Sequence, residues 1–104
     1  MCANDVFAGH LMKTLEQQGI RVPEEVSVAG YDDVRYAHLL RVPLTTISQP
    51  CEQIGHAASQ VMMERIRHPD LPFREILVTP DLAIRDSTAS RGLVPIEQSR
   101  TPKK

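Results

Sequence analysis

Segments with helical periodicity alternate with short β-branched runs along this chain, and this alternation limits the possible folds more than any other feature. The first apolar stripe recurs at helical spacing and consists of Ala8, Leu11, Met12 and Leu15. Such a stripe predicts an amphipathic helix, which Gly19 can end in a left-handed conformation. The run at 26–30 that follows has the composition of a buried strand. Because residues 1–3 resemble the end of an earlier strand, the order predicts a right-handed βαβ unit.

The second half of the chain repeats this alternation. Residues 44–47 form another β-branched run, and Pro50 suits the first position of a helix, where its missing N–H is not needed. The helix that would follow carries an apolar stripe made of Ile54, Ala57, Ala58, Val61, Met62 and Ile66. Two more strand candidates lie at 76–78 and 82–84. The predicted fold class is therefore α/β, with a parallel sheet and flanking helices.

Composition and residue spacing argue against several classes of function. The formal net charge is −1, which provides no basic field for nucleic acid or an anionic membrane. No apolar run reaches the length of a membrane span, and the N-terminus lacks the regions of a signal peptide, so we predict a cytoplasmic location. The four histidines share no i, i+4 metal spacing, and the two cysteines form no CxxC motif. We therefore predict neither an enzyme nor a bound cofactor or metal.

A pair of acids, Asp32 and Asp33, follows the first predicted strand. Open α/β sheets bind ligands at the carboxyl ends of their strands, which makes this pair the best candidate for a binding site. Neighbouring side chains on an extended segment point in different directions, so one carboxylate can face a ligand while the other caps a short helical segment at 34–40. Either Asn4 or Asp5 can cap the first helix in the same way.

Several short motifs occur in a fixed order along residues 1 to about 89. They are Ala-Asn-Asp at 3–5, Gly-Ile-Arg-Val-Pro at 19–23, Gly-Tyr-Asp-Asp at 30–33, Pro-Leu-Thr-Thr-Ile at 43–47, Gln-Pro at 49–50 and Leu-Ala-Ile-Arg-Asp-Ser at 82–87. In this order and spacing the chain resembles the C-terminal part of the effector-binding domain of LacI/GalR-family transcriptional regulators. The resemblance implies a type I periplasmic-binding-protein-like fold that is incomplete here and lacks the DNA-binding headpiece.

The resemblance also implies how the chain is divided. Residues 1–48 would form part of the C-terminal effector-binding subdomain and end in a crossover strand. Residues 49–88 would supply a helix and strands of the N-terminal subdomain with a return crossover. Residues 89–104 are polar and without periodicity, which predicts a disordered tail. Because the second apolar stripe would face strands that are not in this chain, we expect the isolated chain to self-associate or to be poorly ordered beyond residue 48.

Family members place an effector against two of the matching positions. By this resemblance Asn4 and Asp32 would bind a sugar or purine, most readily a sugar, and Gln49 would lie near the floor of the cleft. A carboxylate can accept hydrogen bonds from vicinal hydroxyls, and an Asn side chain offers both a donor and an acceptor. The capping roles then fall to Asp5 and Asp33.

The expected partners are a small-molecule effector and a second copy of the chain, with no membrane and with DNA reached only through the missing headpiece. The resemblance implies dimer contacts from the first helix and from the segment after the acid pair, at Phe7, His10, Leu11, Leu39 and Leu40. Periodicity alone favours a core position for Leu11 and an interface position for Phe7 and His10.

Two other functions stay open. A truncated vestigial or interaction-only polypeptide without effector binding would account for the apolar stripe that follows Pro50. A fragment of a periplasmic sugar-binding protein of related fold would account for the α/β pattern. The motifs at 30–33 and 43–47 resemble the regulators more than the periplasmic proteins, which favours an effector-sensing fragment of a repressor.

Overall fold

The computed structural model describes residues 1–90, and in this part the chain forms two helices and a three-stranded sheet. The elements in chain order are α1 (Asp5–Gln17), β1 (Ala29–Asp32), β2 (Thr45–Ser48), α2 (Cys51–Arg67) and β3 (Asp81–Ala83). The sheet order is β1-β2-β3. The α/β prediction is confirmed, but the sheet is mixed, because β1 and β2 are parallel whereas β2 and β3 are antiparallel. The predicted tail beyond Ser90 lies outside the described residues.

Helix α1 begins at a side-chain cap and ends at a left-handed glycine. The Asn4 side chain accepts a hydrogen bond from the Phe7 amide at 3.0 Å, which satisfies one of the unpaired amides of the first turn. The capping role predicted for Asp5 is therefore wrong, and Asn4 performs it. Gly19 has φ +75°, a conformation that a residue with a side chain adopts at a cost. The predicted end of the helix is thus confirmed.

Four sequence predictions about regular structure differ from what the chain forms, and the first is that residues 1–3 form no strand. The first strand begins at Ala29 rather than at 26, because the Val28 amide donates to the Ser87 carbonyl at 2.8 Å instead of joining a neighbouring strand. Residues 35–39 form successive turns rather than a helix. The segment at 76–78 has no regular structure, and its Leu77 is 86% exposed because no other segment of residues 1–90 covers it.

The buried core lies entirely in the first half of the chain. Its members are Ala8, Met12, Val28, Ala37 and Leu44. Leu11, which periodicity placed in the core, is 40% exposed. The core residues belong to one face of α1, the segment leading into β1, the turns and the residue before β2, so these segments support one another.

Helix α2 lies outside this core, because the rest of residues 1–90 buries none of its side chains. Its stripe remains exposed, as expected from the sequence: Ile54 is 41%, Met62 is 62% and Ile66 is 65% accessible. The Cα radius of gyration is 20.4 Å, compared with about 13 Å for a compact domain of 100 residues.

Within residues 1–90, neither helix combines the length and apolar character needed to cross a membrane.

Candidate functional site at the carboxyl edge of the sheet

The carboxyl ends of the two parallel strands meet at one edge of the sheet. Asp32, the last residue of β1, lies opposite Ser48, the last residue of β2. Asp32 has φ 108° and Asp33 has φ 54°, both in the region that favours glycine. Both residues therefore carry backbone strain, and Asp is among the side chains that tolerate positive φ best. Backbone strain of this kind is concentrated at ligand-binding sites.

Two of the three predicted effector-binding residues contact each other at this edge. The Gln49 side chain donates from Nε2 to Asp32 Oδ1 at 2.6 Å, and both residues are partly buried. A carboxylate has about four acceptor positions, so one amide donor leaves room for ligand hydroxyls. The Gln49 amide oxygen adds an acceptor beside them. The pair therefore provides fixed acceptors for a polyhydroxy ligand.

Asn4, the third predicted residue, lies where α1 begins. Its Oδ1 is used by the cap, which leaves its amide nitrogen as a donor. The next residue, Asp5, reaches the turn after β1, so the start of α1 packs close to the carboxyl edge. The effector-binding roles of Asn4, Asp32 and Gln49 stay predictions.

Asp33 does not cap the segment that follows it, because its carboxylate pairs with an arginine. Arg85 Nη2 donates to Asp33 Oδ1 at 2.6 Å, and Arg85 Nη1 donates to the Leu44 carbonyl at 2.8 Å. Both charged side chains are only 22% exposed. Burial raises the pKa of Asp33, but the hydrogen bonds from Arg85 and Ser48 and the charge of Arg85 outweigh burial and hold it below its ordinary value.

We expect Asp33→Asn to lower the free energy of unfolding by about 1–2 kcal/mol at neutral pH, because it removes a charge-assisted hydrogen bond at a partly buried site. The pKa is lower in the folded chain, so the stabilisation is present above the unfolded value of about 3.9 and is lost as pH falls through the folded pKa. Urea unfolding of both proteins across this range should show their stabilities converging in acid. A difference that stays constant down to the acid limit would contradict the ion pair.

Asp5 is the residue whose role the sequence did not reveal. Its side chain is completely buried and accepts hydrogen bonds from Thr46 Oγ1 at 2.6 Å and from the Val34 amide at 2.9 Å. These donors lie in β2 and in the turn that follows the acid pair. Because an Asp in the first turn of a helix fits a cap equally well, no local pattern distinguished the two roles.

The predicted dimer residues are mostly on the surface. Phe7 is 63% and Leu39 is 74% exposed, and His10 and Leu11 are exposed as well. Leu40 is partly buried and packs against the core, so its side chain is used within the chain.

Two grooves lie away from the carboxyl edge. A groove of about 560 Å³ between α1 and two loops is lined by Met12, Lys13, Arg21, Val22 and Arg41 among others, and by none of the predicted effector residues. A second groove of about 550 Å³ follows the apolar stripe of α2 and residues 76–78. Within residues 1–90, no three His, Cys, Asp or Glu side chains converge as a metal site would require.

Comparison with known proteins identifies the family. The family model of the periplasmic binding protein-like domain matches residues 1–88. The HTH-type transcriptional repressor PurR of Photobacterium profundum is 42% identical over 86 residues, which is 83% of this chain and 26% of that protein. A LacI family transcriptional regulator from Enterococcus faecalis, solved with bound ribose, is 37% identical with a TM-score of 0.76 over 83% of this chain and 32% of that chain. The chain belongs to the LacI/GalR family.

Other LacI/GalR relatives agree. The ribose operon repressor of Haemophilus influenzae is 35% identical over 89 residues, 86% of this chain and 27% of that protein. The transcriptional regulator CelR, solved as a cellobiose complex, is 30% identical with a TM-score of 0.77 over 82% of this chain and 26% of that chain. The chain therefore spans about a quarter of the length of the curated relatives it matches, and only part of the LacI/GalR effector-binding fold is present.

Proposed function

We propose that this chain is the effector-sensing part of a LacI/GalR-type transcriptional repressor and that its effector is a sugar. The sugar would bind at the carboxyl edge of β1 and β2, against Asp32, Gln49 and Asn4. The observation that supports this best is the Asp32–Gln49 hydrogen bond of 2.6 Å, which holds two polar side chains together at the ends of parallel strands. The chain would act in the cytoplasm without catalysis or a cofactor, and DNA contact would come from other parts of the regulator.

The chemistry of the edge fits a sugar. The carboxylate of Asp32 can accept from two adjacent hydroxyls, and a charged acceptor makes stronger hydrogen bonds than a neutral one. Gln49 keeps its amide oxygen as an acceptor and Asn4 keeps its amide nitrogen as a donor, so together they match a hydroxyl, which both donates and accepts. The relatives with known ligands support the same class, since one was solved with ribose and another with cellobiose.

Calorimetric titration of the folded chain with D-ribose, and separately with cellobiose, tests the effector proposal. We expect saturable heat with at least one of these sugars and none with a sugar alcohol of similar size that lacks the ring. The absence of saturable heat from both sugars, in a sample with a cooperative unfolding transition, would overturn the proposal.

We propose further that two copies associate through the exposed face of α1, defined by Phe7, His10 and Leu11, together with Leu39. Large exposed apolar side chains such as Phe7 are typical of the centre of an interface. Phe7→Glu places an acid three residues after the cap, where it can form a capping box, so α1 should persist.

The mass in solution tests this dimer. We expect a dimer for the wild type and a monomer for Phe7→Glu, measured by light scattering, while the control Met62→Glu on α2 leaves the dimer intact. If Met62→Glu dissociates the assembly and Phe7→Glu does not, the α1 interface is wrong. That result would favour an interaction-only polypeptide, for which the exposed stripe of α2 is the supporting observation.

A further inference from the structure

One buried carboxylate joins four segments of the described chain. Asp5, in the first turn of α1, accepts at Oδ2 from the Val34 amide and at Oδ1 from the Thr46 hydroxyl. The third neighbour is Gly30 of β1, where a β-carbon would lie 2.1 Å from Asp5 Oδ1. Helix α1, both parallel strands and the turn after β1 therefore meet at one side chain that solvent does not reach.

The turn that carries the candidate effector ligand is anchored at both ends by these contacts. Asp32 and Asp33, with their positive φ angles, lie between Gly30 and Val34. Gly30 is held in register by its pairing with Thr46, and the Val34 amide is held by Asp5. A displaced Asp5 carboxylate would release the far end of the turn, and the direction of the Asp32 side chain would change with it.

Asp5 is also adjacent to Asn4, so it influences both sides of the proposed site. The carboxylate fixes the start of α1 against β2, and the Asn4 side chain projects from that start. Both partners of Asp5 donate to it, which suits a carboxylate with two acceptor oxygens. An Asn at position 5 would present its amide nitrogen, a donor, to one of these two partners. The Thr46 hydroxyl would then have to turn so that its oxygen accepts the hydrogen bond.

We infer that Asp5 is a positioning residue of the effector site, which sets the geometry of Asp32 and Asn4 without contacting the effector. This inference rests on the proposed function. It predicts that breaking the Asp5–Thr46 hydrogen bond weakens sugar binding, even though neither side chain touches the sugar.

Thr46→Val removes that hydroxyl with almost no change of volume at a position that is 1% exposed. We expect the dissociation constant for D-ribose to rise about tenfold, because a displaced turn must first return to the geometry that binds the sugar. Asp5→Asn, the milder change, should weaken binding by a smaller factor. In both variants the side-chain amide resonances of Gln49 should shift before any ribose is added.

Ser87→Ala provides the matched control. Its hydroxyl is equally buried and makes two hydrogen bonds, accepting from the Thr45 amide and donating to the Val28 carbonyl. The Thr45 amide and the Val28 carbonyl lie at the amino-terminal ends of the strands, away from the proposed sugar site. This variant should therefore lose stability and still bind ribose within about twofold of the wild type.

The outcomes separate this inference from the proposal on which it rests. If the wild type binds no ribose or cellobiose, the effector proposal fails and Asp5 has no site to position. Two results with a wild type that binds ribose would refute this inference alone. In the first, Thr46→Val and Asp5→Asn bind ribose as well as the wild type does. In the second, Ser87→Ala weakens ribose binding as much as those two variants do, and either result would make Asp5 a structural residue.

Discussion

Gly30→Ala is expected to destabilise the fold by about 3 kcal/mol, the largest stability effect that we predict for a single added methyl group. The new β-carbon would lie 2.1 Å from Asp5 Oδ1 and 2.9 Å from Leu44 Cδ2. Leu44 is a core residue, and Asp5 cannot move without breaking its bonds to Thr46 and Val34. Both neighbours are fully buried, so neither side chain can move aside to relieve the steric clash.

Gly55→Ala is the matched control, because a β-carbon there meets nothing within 4 Å. It lies inside α2, where Ala is favoured over Gly by about 1 kcal/mol, so this variant should be neutral or slightly stabilising. Urea unfolding of the two variants measures the difference directly. If Gly30→Ala were as stable as the wild type, the close packing of Asp5 against β1 would be refuted.

Asp32→Asn is expected to weaken ribose binding by about 10- to 100-fold, because a charged acceptor of the sugar hydroxyls becomes a neutral amide. The change keeps the size and shape of the side chain, and Asn tolerates positive φ as well as Asp does. The fold should therefore be preserved, and the loss should appear in affinity rather than in stability.

Asp70→Asn makes the same chemical change at an exposed position beyond α2 and should bind ribose like the wild type. Calorimetric titration of the three proteins with D-ribose gives the comparison. Equal affinity for all three would show that the carboxylate of Asp32 takes no part in recognition, and the ligand assignment would have to be abandoned.

The local elements could be predicted because their signals are local. The stripe that begins at Ala8 and the cap and glycine at its ends define α1, and Pro50 marks the start of α2. Three of the predicted strands form, displaced by one to three residues, whereas those predicted at 1–3 and 76–78 do not, since short β-branched runs do not specify which amides join the ladder. The Val28 amide does not join the ladder because it donates to the carbonyl of Ser87, a residue distant in sequence.

The candidate site could be predicted only in part, for the same physical reason. The position of Asp32 at a strand end follows from the order of elements, and Gln49 follows from the next strand. The partners of Asp5 and Asp33 could not be predicted, because the contacts with Thr46 and Arg85 span about forty and fifty residues and leave no periodic trace.

The proposed sugar site is the carboxyl edge formed by β1 and β2. Heteronuclear NMR of the labelled chain during titration with D-ribose tests it most directly, because each amide reports on its own surroundings. We predict that the largest shifts fall on the amides of Asp32, Asp33 and Gln49. Shifts confined to Lys13, Arg21 and Arg41, which line the groove beside α1, would place the ligand elsewhere and contradict this proposal.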